Sequence, residues 1–145
     1  MRELPRQLTE EQLADLFEGR TRLVEKLAAR TNPLGSAAEV IGTLSEEEKL
    51  EALNAHPAIG AKALSARSAA EQGSDDDPDV LSELDRLNRE YEQRFGFRFV
   101  VFVNRRPKSE IVPVLKQRLG RSRDDELDTA VRELVAIAED RWRTS

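Results

Sequence analysis

The fold of this chain is decided by residues 77–103, which read DPDVLSELDRLNREYEQRFGFRFVVFV. Asp77 can cap a helix whose first position is Pro78, and Gly96 tolerates the left-handed conformation in which many helices end. Between them, side chains suited to a buried face recur every three or four residues, which is the spacing of one helical face. They are Leu81, Leu84, Asn88, Tyr91 and Phe95. The stretch therefore predicts one amphipathic helix that stops at Gly96.

Residues 97–103 are predicted to be extended, because they consist mainly of aromatic and β-branched side chains. No second such run is present in the sequence, and a lone strand cannot form a sheet. The backbone donors and acceptors of this segment must then be met by helix ends, side chains, water, a partner chain or a bound ligand. We therefore expect an all-α fold with one short extended segment near residues 97–103.

Further helices are predicted on both sides. Capping boxes, in which Ser or Thr is followed three positions later by Glu or Gln, begin at Thr9, Ser45 and Ser68. Ser36 and Ser109 are predicted as simple caps, and Gly19 as the stop of the first helix. The helix from Ser109 is expected to run to Gly120, with Pro113 tolerated only because it lies near the helix start. An apolar stripe marks the last helix at Leu127, Val131, Leu134, Val135, Ala138 and Trp142.

The composition bounds the class of protein. A chain of 145 residues has the size of one domain, which we take to span residues 1–145. There is no cysteine, and no apolar run approaches the ~20 residues that span a bilayer, so we expect a cytoplasmic protein that does not enter the membrane. A net charge of −5 argues against nucleic acid as a partner. The local cations Arg105, Arg106 and Lys108 predict either a solvated loop or a site for a small anion.

The only histidine, His56, is followed by Pro57, which disfavours helical backbone at the preceding residue. His56 should therefore lie at the end of the helix that Ser45 begins. A neutral imidazole can both accept and donate a proton near pH 7, which suits general acid–base catalysis, but a lone histidine taken by itself more often has a helix-terminal or packing role. Metal binding is disfavoured, since one His without Cys leaves only carboxylates to complete a site.

Three other features allow both a structural and a functional interpretation. Glu71 and Gln72 could hydrogen-bond a heterocycle, or Glu71 could simply complete the capping box of Ser68. The backbone of the extended segment could be buried core, or a template for a planar amide-like ring if one side stays unpaired. Arg141 could lie on the surface with its charge in water, or pair with a carboxylate.

Several spaced motifs together carry a family resemblance. In order they are LNAHPAIG at residues 53–60, SAAEQ at 68–72, LNREY at 87–91, FGFRFV at 95–100, SEI at 109–111 and IAEDR at 137–141. From about Leu50 onward the chain resembles the OHCU decarboxylases, which act on 2-oxo-4-hydroxy-4-carboxy-5-ureidoimidazoline. The resemblance implies a single all-α domain that forms a homodimer and uses no metal or organic cofactor. It also implies formation of (S)-allantoin in urate catabolism, with association with other urate-pathway enzymes as an option.

Carried over residue by residue, the resemblance implies that His56 is the catalytic proton carrier and Glu71 its acidic companion. The residues implied to contact substrate are Pro57, Ser68, Gln72, the main chain of Phe99, Val100 and Val101, and Arg141. Three positions depart from the common pattern, namely Ala58, Arg98 and Glu139, and they bear on the shape and charge of the pocket. The alternative function is a catalytically silent helical interaction or dimerisation module of the same fold.

Overall fold

The computed structural model describes residues 3–55 and 77–144, and within these ranges all regular structure is helical. The helices are α1 (Glu10–Phe17), α2 (Arg22–Ala28), α3 (Ala37–Thr43), α4 (Glu46–Asn54), α5 (Pro78–Phe95), α6 (Lys108–Leu119) and α7 (Arg123–Thr144). The predicted all-α class is confirmed, and residues 97–103 form no strand in the described part of the chain. The helix predicted to begin at Ser68 lies outside the described residues.

Two compact groups of residues can be distinguished. The first contains α1 to α4 and the part of α7 from Leu127 onward, while the second contains α5, α6 and the residues up to Glu126. The prediction of one domain over residues 1–145 stays a prediction. No helix in the described ranges is long and apolar enough to cross a membrane.

In the first group, α2 packs against α1, α3 and α4. The capping boxes predicted at Thr9 and Ser45 are both formed, so each side chain accepts a hydrogen bond from the third residue of its helix. The carboxylate of Glu51 in α4 accepts the Arg22 backbone N–H at 2.6 Å, which satisfies a free donor at the start of α2. The following side chains are fully buried here: Leu13, Leu23, Val24, Leu27, Val40, Leu53, Ala130, Val131 and Ala138.

Two predicted helix caps are wrong. Ser109 does not cap α6, which begins at Lys108 after Pro107, whose ring already holds φ at −57°. Pro113 consequently lies inside the helix, at an exposed position. Because proline has no backbone N–H, the carbonyl one turn earlier lacks its helical donor, and water can bond it at this exposed position. Ser36 precedes α3, but its hydroxyl donates to the Thr31 carbonyl at 3.2 Å instead of capping the helix.

The stop of α1 also differs from the prediction. Glu18, and not Gly19, adopts the left-handed conformation, with φ of 59°. This backbone is unfavourable for a residue with a side chain. At the end of α5, by contrast, Gly96 takes the left-handed conformation with φ of 80°, as the sequence predicts.

We expect Gly96→Ala to lower the free energy of unfolding by about 1–2 kcal/mol, because a Cβ is strained at positive φ. Crowding does not contribute, since no atom lies within 4 Å of the added Cβ. Gly42→Ala in α3 is the matched control: it also meets no atom within 4 Å, but lies in a helix, and should stabilise by about 0.5–1 kcal/mol. Urea unfolding of both variants measures the difference, and equal effects would contradict the strain argument.

Candidate active site

The residues predicted for the site fall into two sets. His56, Pro57, Ser68, Glu71 and Gln72 lie outside the described residues. Phe99, Val100 and Val101 belong to the second group, and Arg141 belongs to the first.

The extended segment is buried at Phe99, Val100 and Val101, which are at most 7% exposed. Within residues 3–55 and 77–144, none of these three residues forms a hydrogen bond from its backbone to another backbone group. The Val100 carbonyl instead accepts a hydrogen bond of 2.6 Å from Nη1 of Arg118. A side chain thus satisfies one backbone acceptor of this segment, and side chains are among the partners that the sequence analysis predicts.

A second arginine serves the end of the same segment. Arg106 donates from Nη2 to the Phe102 carbonyl at 2.7 Å and from Nε to the Val103 carbonyl at 2.8 Å. Its neighbour Lys108 is buried. Two of the three local cations are therefore built into the fold, and the prediction of a solvated basic loop is wrong for them.

Arg118 belongs to a buried network in the second group. Its Nε donates to Oε1 of Glu126 at 2.8 Å, and Glu126 is completely buried. The same carboxylate accepts from the Tyr91 hydroxyl at 2.6 Å and from Nη1 of Arg121 at 2.9 Å. Charge-assisted bonds of this kind are stronger than neutral ones, so Glu126 holds one end of α6 to α5.

The phenol of Tyr91 is a neutral donor in this network. Burial, and then the hydrogen bond to Glu126, raise its pKa well above the ordinary value of 10. The ring packs against Phe95, Phe97 and Phe99 at centroid distances of 4.6, 5.9 and 5.3 Å. The guanidinium carbon of Arg118 lies 4.6 Å from the Phe99 ring centroid. The side chains of the extended segment thus pack against Tyr91 and Arg118, and its backbone accepts a hydrogen bond from Arg118.

Arg141 is buried in the first group, so the expectation of a surface residue is wrong. Its Nη1 donates to the Leu16 carbonyl at 2.8 Å, and its Nη2 lies 3.5 Å from Oε1 of Glu18. The alternative, pairing with a carboxylate, is what the structure shows. The pair also accounts for the left-handed Glu18, since this residue places its side chain next to a guanidinium that is 0% exposed.

Sequence reasoning missed Arg118, Glu126 and Glu18. A signal existed for the first, because Arg118 follows Ile111 and Leu115 at the spacing of the apolar face of α6. Glu126 similarly precedes the first apolar residue of the stripe on α7. A charged residue at a position on the apolar face of a helix indicates that a partner of opposite charge lies next to it. No comparable signal marks Glu18, because its left-handed conformation is not encoded by a Gly or Asn.

A cavity of about 440 Å³ lies in the first group, between α3 and α7. Its lining among the described residues includes Ile41, Val135, Arg132 and Glu139, but not residues 99–101 or Arg141. Burial raises the pKa of the Glu139 carboxyl, and Arg143 opposes the shift from 3.7 Å. In the described part of the chain, no group of three or more His, Asp or Glu residues could hold a metal ion.

Comparison with known proteins gives one consistent family. The family model described as OHCU decarboxylase matches residues 2–143. A 2-oxo-4-hydroxy-4-carboxy-5-ureidoimidazoline decarboxylase of Haloferax volcanii is 33% identical over 129 residues, which are 80% of this chain and 76% of that protein. A uric acid degradation bifunctional protein of a Bacillus species is 30% identical over 105 residues, which are 69% of this chain but only 21% of that protein.

A solved structure agrees with these relatives in fold. The crystal structure of an OHCU decarboxylase in the presence of (S)-allantoin superposes with a TM-score of 0.75 at 23% identity. The match covers 90% of this chain and 94% of that one. The helical arrangement is therefore shared with that enzyme.

We expect Glu18→Gln to lower the free energy of unfolding by about 1–3 kcal/mol, because it removes the Glu18 carboxylate from beside the buried Arg141 charge. Glu10→Gln is the matched control, since Glu10 pairs with Arg20 at the same 3.5 Å but both side chains are exposed. Its loss should cost less than about 0.5 kcal/mol. Urea unfolding compares the two, and a similar cost for both would contradict a buried structural pair at Arg141.

The raised pKa of Glu139 gives a pH dependence of defined sign. The folded chain binds this proton more tightly than the unfolded chain, so the resulting stabilisation is complete below the ordinary pKa of 4.5 and is lost as pH rises through the raised value. Relative to Glu139→Gln, the wild-type free energy of unfolding should therefore fall as pH rises above 4.5. Urea unfolding across this range measures the difference, which would contradict the prediction if it rose instead.

Proposed function

The chain belongs to the OHCU decarboxylase family, and from this premise we propose that it is a carboxy-lyase of urate degradation. Its substrate is 2-oxo-4-hydroxy-4-carboxy-5-ureidoimidazoline and its product is (S)-allantoin. The observation that carries the proposal is the match of the family model to residues 2–143. The order of the motifs around His56, Glu71 and residues 95–100 supports it.

The reaction needs placement more than chemical activation. The bond between the ring carbon and the carboxylate breaks, carbon dioxide leaves, and the electron pair passes into the neighbouring C=N bond of the substrate. One proton must then reach the ring from one face, which gives a single enantiomer. Holding the carboxylate out of the ring plane and donating that proton from a fixed position are the tasks of the protein. Neither a metal nor an organic cofactor is needed for these steps.

We assign proton transfer to His56 and its orientation and charge balance to Glu71. Gln72 is assigned to the amide groups of the substrate, with Pro57 and Ser68 as further contacts. The main chain of residues 99–101 is the remaining anchor in this proposal. Its support is the burial of the segment together with backbone groups that pair with no other backbone in the described residues.

Arg141 is proposed to meet the substrate carboxylate. The side chain is 0% exposed and already donates to the Leu16 carbonyl. A guanidinium presents a planar fork whose shape suits a bidentate bond to a carboxylate. Glu18 and Leu16 would then orient the fork that receives the substrate.

Assembly and location form a separate part of the proposal. We expect a cytoplasmic homodimer, and we expect it to work beside other urate-degrading enzymes. The association with other urate-degrading enzymes is supported by the bifunctional relative, in which the matched region is 21% of a longer uric acid degradation protein. Light scattering with size-exclusion chromatography tests the dimer, and a mass of 16.4 kDa would contradict it.

The activity is tested with substrate made freshly from urate by urate oxidase and hydroxyisourate hydrolase. Wild type should speed the appearance of (S)-allantoin, followed by circular dichroism. His56→Ala should lower the rate by about 100-fold or more, the usual contribution of general acid–base catalysis. Glu71→Gln should also slow the reaction.

Glu90→Gln is the control for charge, because Glu90 is an exposed carboxylate of α5 and its loss should leave the rate unchanged. Helical far-UV spectra confirm folding of each variant. Full activity of His56→Ala would refute its assigned role. Absence of any enantiomeric excess with wild type would refute the proposed function itself and favour a silent interaction module.

A further inference from the structure

Arg118 makes three directional contacts at once in the second group. Nη1 donates to the Val100 carbonyl at 2.6 Å, Nε donates to Glu126 at 2.8 Å, and the guanidinium lies over the Phe99 ring. The side chain is 7% exposed. Glu126 is itself held by Tyr91 and Arg121, so it cannot turn to follow a moving arginine. The guanidinium plane, and with it the direction of the Val100 carbonyl, is fixed.

This arrangement is not the one that stability alone would favour. Nη2 of Arg118 is buried and has no hydrogen-bond partner among the described residues. A buried donor without a partner costs about 1–3 kcal/mol. Apolar residues of similar volume often replace a buried ion pair without loss of stability. An arginine at this position is therefore better explained by what it orients than by the energy that it adds.

The oriented element is a peptide plane. The chain contains no cis peptide bond in its described part, so the Val100 carbonyl and the Val101 N–H point in opposite directions from the same plane. With the carbonyl turned toward the Arg118 guanidinium, the Val101 N–H points away from that guanidinium. No backbone acceptor among the described residues takes this donor.

We propose that Arg118 is a positioning residue that fixes the peptide between Val100 and Val101, so that the Val101 N–H donates to a carbonyl oxygen of the substrate. The inference rests on the proposed function, because it concerns the main-chain anchor of that site. Arg118 itself does not touch the substrate. Lysine cannot replace it fully, since an ammonium lacks the planar fork that reaches Glu126 and the Val100 carbonyl together.

The test compares Arg118→Met and Arg118→Lys with Arg106→Met. Arg106 is the matched control because it also donates to carbonyls of the extended segment, but to those of Phe102 and Val103. Far-UV spectra establish that each variant folds, and Arg118→Lys carries the test if Arg118→Met does not.

The decisive readout is KM. Arg118→Met should raise KM about tenfold or more, Arg118→Lys should lie between it and wild type, and Arg106→Met should stay within about threefold. A merely structural role would reduce the active fraction, which lowers the apparent kcat and leaves KM unchanged. An unchanged KM in the folded Arg118 variants, or an equal rise in Arg106→Met, would overturn the proposal.

A second readout does not depend on turnover. The Val101 amide resonance should shift when (S)-allantoin is added to wild type or Arg106→Met, and should not respond in Arg118→Met. If wild type shows no decarboxylation, the proposed function fails. The positioning role of Arg118 is then tested by the Val101 amide resonance alone. An identical Val101 amide shift in unliganded wild type and Arg118→Met would then overturn it, because losing the bond to the adjacent carbonyl must change that peptide.

Discussion

Residues 97–103, which pair with no strand in the described part of the chain, set the main constraint on the second group of residues. Their carbonyls are buried and must find donors, and the helices on either side have used their own backbone groups internally. Arginine side chains provide the donors, from Arg118 to Val100 and from Arg106 to Phe102 and Val103. Each arginine then needs a compensating partner of its own. The completely buried Glu126 and the raised pKa of Tyr91 both follow from that requirement.

The first group meets a similar constraint at Arg141. A guanidinium that is 0% exposed needs a carboxylate, and Glu18 provides one from a left-handed position that costs backbone energy. Strain held in this way persists only where the surroundings overdetermine it, and such positions cluster at functional sites. Arg141 and Arg118 thus have two kinds of contact in common, since each buried guanidinium fork meets a glutamate carboxylate and a backbone carbonyl. In the proposed function one fork receives the substrate carboxylate, whereas the other orients the main chain.

Much of the helical framework could be predicted from local sequence, because capping is a short-range interaction. The boxes at Thr9 and Ser45, the Pro78 start and the Gly96 stop each depend on residues within one or two turns. Boundaries failed where a longer-range demand competed. The N-cap of α6 is Pro107 and not the predicted Ser109. At the end of α1 the left-handed residue is Glu18 and not the predicted Gly19, and Glu18 pairs with Arg141, which is remote in sequence.

Sequence by itself determined the all-α class, the lone extended segment and the family, since periodicity, capping and ordered motifs are properties of the chain. His56 and Glu71 were likewise identified from sequence, and their roles stay predictions. Tertiary structure alone decided that Arg141 is buried and that Arg118 meets the Val100 carbonyl. The physical reason is that the sequence pattern of a helix is the same whether a charged side chain on it is exposed to water or paired with a buried partner. Only packing establishes which carboxylate and which carbonyl lie within hydrogen-bond distance.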